Sequence, residues 1–380
     1  MAQEETQRLL TRARLWLEEG RPEDALTTLD ALAPDSEGER KEKSYLLGWC
    51  YTNMRRWDDA LNVLTPLTNF AEAEGDGSVS FNRTKRVYCL LRLGHNATNL
   101  ARWDDAVLHF ARCQKILRDK NLRLPRELVK ACYGMATAQL MRGQYTDALQ
   151  GYTDAVKHSF SLEDDEERGN IYYGLAYLSR RMGNLVDARL AALDALKFYQ
   201  RSMSDHSELM VGTTHNLLGK IALSMGDYEE AKDHYTLALA MGRKSSTTMY
   251  VLNCSGLAEV RMAEKRFDEA DEYCRMALRY MREAKEKDNL LFGLVYMLTG
   301  KVLYAKAEHA EDGRKEQLIE DAIKRFEQAE ESLSRTQAYT EMAELYGHLA
   351  QALEELGKTQ EAIRYWKSGY EALEAAKGTV

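Results

Sequence analysis

The clearest regularity along the chain is a recurring arrangement of small and large apolar positions. It is plainest in Leu218-Gly219-Lys-Ile-Ala222-Leu-Ser-Met-Gly226-Asp-Tyr228-Glu-Glu-Ala231-Lys-Asp-His-Tyr235-Thr-Leu-Ala238. Apolar residues fall three and four apart on both sides of Gly226-Asp227. This spacing predicts two amphipathic helices joined by a tight turn. Gly219, Ala222, Ala231 and Ala238 stand where the helices must approach closely. Leu218, Tyr228 and Tyr235 stand where the space between them must be filled.

The arrangement repeats. The small residue that opens the second helix is placed at Ala25, Ala60, Ala106, Ala148, Ala188, Ala231, Ala270, Ala322 and Ala362, separated by 35 to 52 residues. Close matches include Leu47-Gly48 with Tyr51 and Trp57, Leu93-Gly94 with Trp103 and Phe110, and Gly143-Gln-Tyr145 with Tyr152. Lys265 takes the place of the usual turn glycine in the seventh unit. The eighth, within 289–338, fits only if His309 to Glu316 is an inserted loop. Ala71 to Ser78 reads as a flexible connection. Only four prolines occur, none beyond Pro125, and no stretch alternates with period two. The chain is therefore expected to be all-α. With no Pro/Gly/Ser linker dividing it, residues 1–380 are expected to form a single array.

A Leu-Gly pair, an aromatic, then Ala-x3-aromatic at these offsets resembles the tetratricopeptide repeat (TPR). The resemblance implies a right-handed superhelical solenoid of about nine helix-turn-helix units, each packing only on its neighbours. Its end units must be shielded or must pair. Trp366 and Tyr370 on the last helix point to a homodimer through the C-terminal repeats.

Composition narrows the function. A net charge of −8 argues against a direct nucleic-acid binder. The local basic runs at Arg83 to Arg86, Arg180-Arg181 and Arg243-Lys244 read as solvated helix ends. The six cysteines have no Cys-x2-Cys spacing and fall mostly on apolar faces, so buried reduced thiols and a cytoplasmic location are expected. No apolar run approaches the ~20 residues of a membrane span. The eight histidines are scattered, and no phosphate loop, zinc motif or nucleophile elbow is present. The acid pairs Asp58-Asp59 and Asp104-Asp105 recur at the start of second helices, where they complement the helix dipole. No metal, cofactor or catalytic residue is expected, and the chain is not read as an enzyme.

In the family, the first helix of each pair lines a concave groove. Carried onto this sequence, the groove positions are Tyr45, Trp49 and Asn53 in the second repeat, then Tyr88, His95 and Asn99 in the third. Lys130, Tyr133 and Thr137 follow in the fourth, Asn170, Tyr173, Tyr177 and Arg180 in the fifth, and Thr213, Asn216 and Lys220 in the sixth. Ser255, Glu259 and Met262 represent the seventh, Lys301 and Tyr304 the eighth. Tyrosine offers contact area at low entropic cost. Asparagine both donates to and accepts from a peptide backbone. Arg180 and Lys220 suit a carboxylate. The set implies an extended peptide or a protein partner in the groove. It resembles the sensor arrays of bacterial peptide-pheromone regulators (Rap/PlcR-like), without their N-terminal output domain. The alternative is a constitutive scaffold or co-chaperone-like adaptor, although Lys130, Asn170, Asn216 and Lys220 only loosely echo the lysine/asparagine clamp of tail-binding members.

Overall fold

The computed structural model describes residues 2–68, 79–118, 122–242, 246–336 and 338–378. The expected connection at Ala71 to Ser78 and the basic pair Arg243-Lys244 lie outside them. The described residues form helices, one short 3-10 turn (Thr65–Thr68) and connecting turns. The chain divides into two compact units, 1–178 and 179–380.

Unit 1 begins with the hairpins α1 (Ala2–Glu18) with α2 (Pro22–Asp30) and α3 (Glu37–Asn53) with α4 (Trp57–Leu64). It continues with α5 (Val79–Asn99) and α6 (Trp103–Leu117), then α7 (Pro125–Met141) and α8 (Tyr145–Ser159). The unit boundary falls inside α9 (Asp165–Arg181). Unit 2 carries α10 (Leu185–Arg201), the pair α11 (Asp205–Met225) and α12 (Tyr228–Gly242), and the pair α13 (Thr247–Ala263) and α14 (Phe267–Glu283). It ends with α15 (Asn289–Glu308) and α16 (Asp312–Leu333), then α17 (Tyr339–Glu355) and α18 (Thr359–Gly378).

Eight of the turns that lead into a second helix solve the same steric problem. Two residues before that helix the chain reverses through a left-handed backbone. Gly20, Gly143, Gly183, Gly226 and Gly357 supply it with φ between +72° and +81°. Arg55, Ala101 and Lys265 adopt the same region at φ 58°, 55° and 61° despite carrying a Cβ. The second helix then starts on Trp57, Trp103, Tyr145, Leu185, Tyr228 or Phe267, with acids in its first turn. Asp58-Asp59 and Asp104-Asp105 sit there as expected from the helix dipole.

All nine alanines chosen from the sequence are fully buried, each on the second helix of its hairpin. Gly219 shows why a small residue is needed. A Cβ there would meet the Tyr235 ring at 2.8–3.0 Å. Gly256 abuts the same ring from α13, so this buried tyrosine is held between two glycines. Tyr228 is more open than expected, 38% exposed, whereas the buried Leu218 and Tyr235 fill the hairpin.

The eighth repeat differs too. His309 to Glu316 is no inserted loop, because α15 ends at Glu308 and α16 begins at Asp312. The extra residues lengthen α16 at its N-terminal end. Contrary to the sequence reading, α15 is long and apolar enough to cross a membrane by length and composition alone. Half of its most apolar window is buried within unit 2, where Leu291, Val295, Leu298 and Val302 join its cores. All six cysteines are buried free thiols. Burial pushes Cys50, Cys89, Cys113, Cys254 and Cys274 up to about 12 and Cys132 up to about 11, so they pack as inert apolar groups.

Candidate functional site

In unit 1 the first helices bring aromatic and cationic side chains together. Tyr45 and Trp49, four residues apart on α3, have ring centroids 6.4 Å apart. The Arg92 guanidinium of α5 lies over both rings, 5.4 Å from the first centroid and 4.5 Å from the second. Its Nη1 donates to the Tyr45 hydroxyl at 3.4 Å. Lys85 Nζ stands 5.5 Å above the Tyr45 ring and pairs with Glu42, which Arg14 also holds. Tyr45 is buried, so this part of the expected groove is already occupied by protein, and Trp49 and Tyr88 are half-buried. The family offsets missed Arg92. The available signal was a cation two residues before Gly94, in the repeat after an aromatic pair.

The next positions are more open. His95 is exposed, its ring edge-on to Trp57 at 6.0 Å. Desolvation by the surrounding protein, then Lys130, holds its pKa below the ordinary value. Asn53 and Lys130 are exposed. Asn99, also exposed, donates to its own helix at the His95 carbonyl (2.8 Å). Tyr133 packs 5.9 Å from the buried Tyr152 ring, and the Thr137 hydroxyl lies 3.1 Å from the Tyr152 hydroxyl. These two serve the core as much as a surface. Asn170, Tyr173 and Tyr177 are half-buried along α9.

Unit 2 carries a row of charges along successive first helices: Arg180, Lys220, Glu259, Lys301 and Glu344. Lys220 is half-buried. Burial and the neighbouring Arg180 hold its pKa below the ordinary lysine value, partly offset by Glu259. Burial raises the pKa of Glu259, with Lys301 and Lys220 opposing. Lys301 donates to Glu344 at 3.0 Å. A hydrogen bond from His348, together with Lys301, holds the Glu344 carboxyl down at about 2. From Lys220 onward the row therefore alternates in sign. Glu344 was not among the sequence candidates, because no groove positions were assigned in the ninth repeat. Tyr304 is half-buried and donates to Glu355 at 2.6 Å. Thr213, Ser255 and Met262 are half-buried, and the Thr213 hydroxyl donates to the Leu209 carbonyl.

Asn216 is a correction. It is 6% exposed, and its side-chain amide donates to the equally buried Asn253 at 2.7 Å. It joins α11 to α13 and has no face open to a peptide. The histidines also prove less scattered than their sequence positions imply. His215 and His234 place their Nδ1 atoms 3.0 Å apart, with Glu230 and Arg189 beside them. Among the described residues no three His, Cys, Asp or Glu side chains cluster as a metal site would require.

With this geometry in place, the comparisons with known proteins are informative. The profile of the MalT-like TPR region matches residues 115–288, and that of the tetratricopeptide repeat matches 343–369. No curated protein sequence matches the chain. Several solved structures share its fold. The apo form of the quorum sensor NprR from B. thuringiensis aligns with TM-score 0.68 at 14% identity, covering 98% of this chain and 100% of its own. A Rap protein complexed with competence and sporulation factor aligns with TM-score 0.58 at 14% identity, covering 94% and 99%. The Rap conjugation gene regulator of plasmid pLS20, in complex with the Phr* peptide, gives 0.53 at 13% identity, covering 98% and 96%. At such identities the likeness establishes fold. Nine buried alanines at the diagnostic offset, left-handed residues before eight of the second helices among the described residues and two matching family profiles make this chain a tetratricopeptide-repeat protein, similar in fold to the Rap proteins and the quorum sensor NprR.

Proposed function

We propose that this protein is a non-enzymatic, cytosolic regulatory sensor that binds an extended peptide along its first-helix faces. The observation that carries the reading is Lys220, half-buried on the first helix α11 and without an ion pair among the described residues. A cation held in a partly desolvated position favours a counter-charge. An anionic group docked on it would supply that charge through short, charge-assisted hydrogen bonds. A peptide C-terminal carboxylate or an acidic side chain has this chemistry. The half-buried Thr213, Ser255 and Met262 supply further first-helix contact area in the same unit. Rap and NprR structures share the fold; one Rap structure is in complex with the Phr* peptide and another with competence and sporulation factor.

The test is native purification from the source cytosol, elution under denaturing conditions and mass spectrometry over the full mass range. A recurrent short peptide that is lost in Lys220→Glu supports the sensor. Retention of that peptide by the variant refutes the anchor.

One observation favours a second reading, a scaffold that contacts folded partners or a second copy of itself. Helix α18 exposes Ile363, Trp366, Tyr370 and Leu373 along one stripe, at 55%, 43%, 65% and 48%. Exposed apolar stripes of this kind mark protein contacts. A full-length protein recovered in place of a peptide would support it.

A further inference from the structure

A second charged feature lies on the opposite side of the repeats in unit 2. Between the second helices α14 and α16 run two adjoining cavities of about 450 and about 430 Å³, which share Arg275 and Arg325 as lining residues. They form one elongated groove, floored by Met276, Leu278 and Leu303. Arg275, Arg279 and Arg282 are exposed and fall at i, i+4 and i+7, so one face of α14 carries all three. Arg325 projects from α16 across the groove.

The carboxylates present do not neutralise this wall. Asp271 and Glu272 both pair with Arg275, and Asp321 pairs with Lys324 at 2.9 Å. Arg325 donates to the neutral Gln328 amide oxygen at 2.9 Å. Among the described residues neither Arg279 nor Arg282 makes an ion pair. Like charges gathered in this way repel one another unless a counter-charge arrives. In a chain of net charge −8 such a concentration of arginines stands out.

We propose that this groove binds an extended acidic segment of a partner polypeptide. Arginine's planar fork matches a carboxylate bidentately. Arg279 and Arg282 lie three apart on one face of α14, and same-side carboxylates two apart on an extended chain are spaced by roughly 6.6 Å, within the reach of two flexible arginine side chains. An acidic strand therefore finds its carboxylates facing the unpaired Arg279 and Arg282 and, across the groove, Arg325, while its apolar residues rest on Met276 and Leu278. Nucleic acid fits less well. No aromatic side chain lines the groove to stack a base, and the surrounding chain is acidic.

The experiment uses the full chain and a fluorescein-labelled decapeptide alternating Glu with Leu, read by anisotropy. Its Gln-for-Glu counterpart and a single-stranded oligonucleotide of equal length serve as competing probes. The acidic peptide is expected to bind, and to bind less tightly as salt rises from about 50 to about 200 mM. Arg279→Glu/Arg282→Glu should weaken it by roughly tenfold or more. Arg279→Lys/Arg282→Lys keeps the charge but loses the fork, and should weaken it several-fold. Lys157→Glu, an exposed change on α8, should leave it unchanged. Equal binding of the Gln peptide, tighter binding of the oligonucleotide, absence of binding at low salt, or indifference to the Arg279/Arg282 changes would each overturn the proposal.

Discussion

Gly219→Ala and Gly347→Ala are the same substitution in the interior of a first helix, and they should move stability in opposite directions. Taken alone, glycine to alanine in a helix favours folding by about 0.8–1.0 kcal/mol. At Gly347 that gain is nearly unopposed, because the nearest atom to an added Cβ is on the Trp366 ring at 3.8 Å, ordinary contact distance. At Gly219 the added carbon would stand 2.8–3.0 Å from three atoms of the Tyr235 ring. The ring is rigid and fully buried, and Gly256 closes the other side, so it has no free space to enter. Overpacking a well-filled site costs about 1–3 kcal/mol, and a rigid ring with no escape belongs in the upper part of that range. The net expectation is a loss of roughly 1–2 kcal/mol for Gly219→Ala and a gain of about 0.5–1 kcal/mol for Gly347→Ala. At about 2–4 °C per kcal/mol for a unit of this size, thermal unfolding followed by circular dichroism at 222 nm separates the two readily. Shifts of the same sign, or a neutral Gly219→Ala, would show that the Tyr235 sandwich does not hold as described.

Other predictions follow from named contacts. Asn216→Ala leaves the Asn253 oxygen buried without its donor and should cost about 1–3 kcal/mol; reduced peptide binding at unchanged urea midpoint would instead return Asn216 to the binding face. Lys265→Gly relieves a left-handed residue at φ 61° and should raise stability by about 1 kcal/mol, a change that an unaltered urea midpoint would contradict. Burial holds His215 and His234 below the ordinary histidine pKa of 6.5, so the unfolded chain takes up protons first as pH falls. The pair's contribution is therefore full above about pH 6.5 and is lost as pH falls toward the lowered folded values. Urea midpoints at about pH 7.5 and 5.5 should differ more for the wild type than for His215→Gln, and equal differences would refute the coupling. If the α18 stripe pairs two copies, light scattering should give a dimer mass for the wild type and a monomer mass for Trp366→Glu/Tyr370→Glu. A monomeric wild type removes that idea.

Repeat number, the hairpin boundaries outside the eighth repeat and the buried alanines were legible in the sequence because they are local. Helical spacing, a turn residue and a close-packing small residue lie within one unit of roughly 40 residues, and repetition multiplies a weak signal. The burial of all six cysteines and the acids at second-helix starts follow from the same periodicity. Family offsets alone could not tell an outward side chain from one spent on a neighbouring repeat. Asn216 and Lys220 are four residues apart on one helix, yet the first bonds to Asn253 in the interior while the second stays half-exposed beside Arg180. Tyr45 likewise gives its ring to Arg92, 47 positions along the chain. The His215–His234 contact, the sign-alternating row ending at Glu344 and the arginine groove between α14 and α16 each join residues from different helices. Period and turn chemistry act over a few residues and are written in sequence. Partner choice across helices depends on which side chains stacking brings within a few ångströms, and only the tertiary structure decides it.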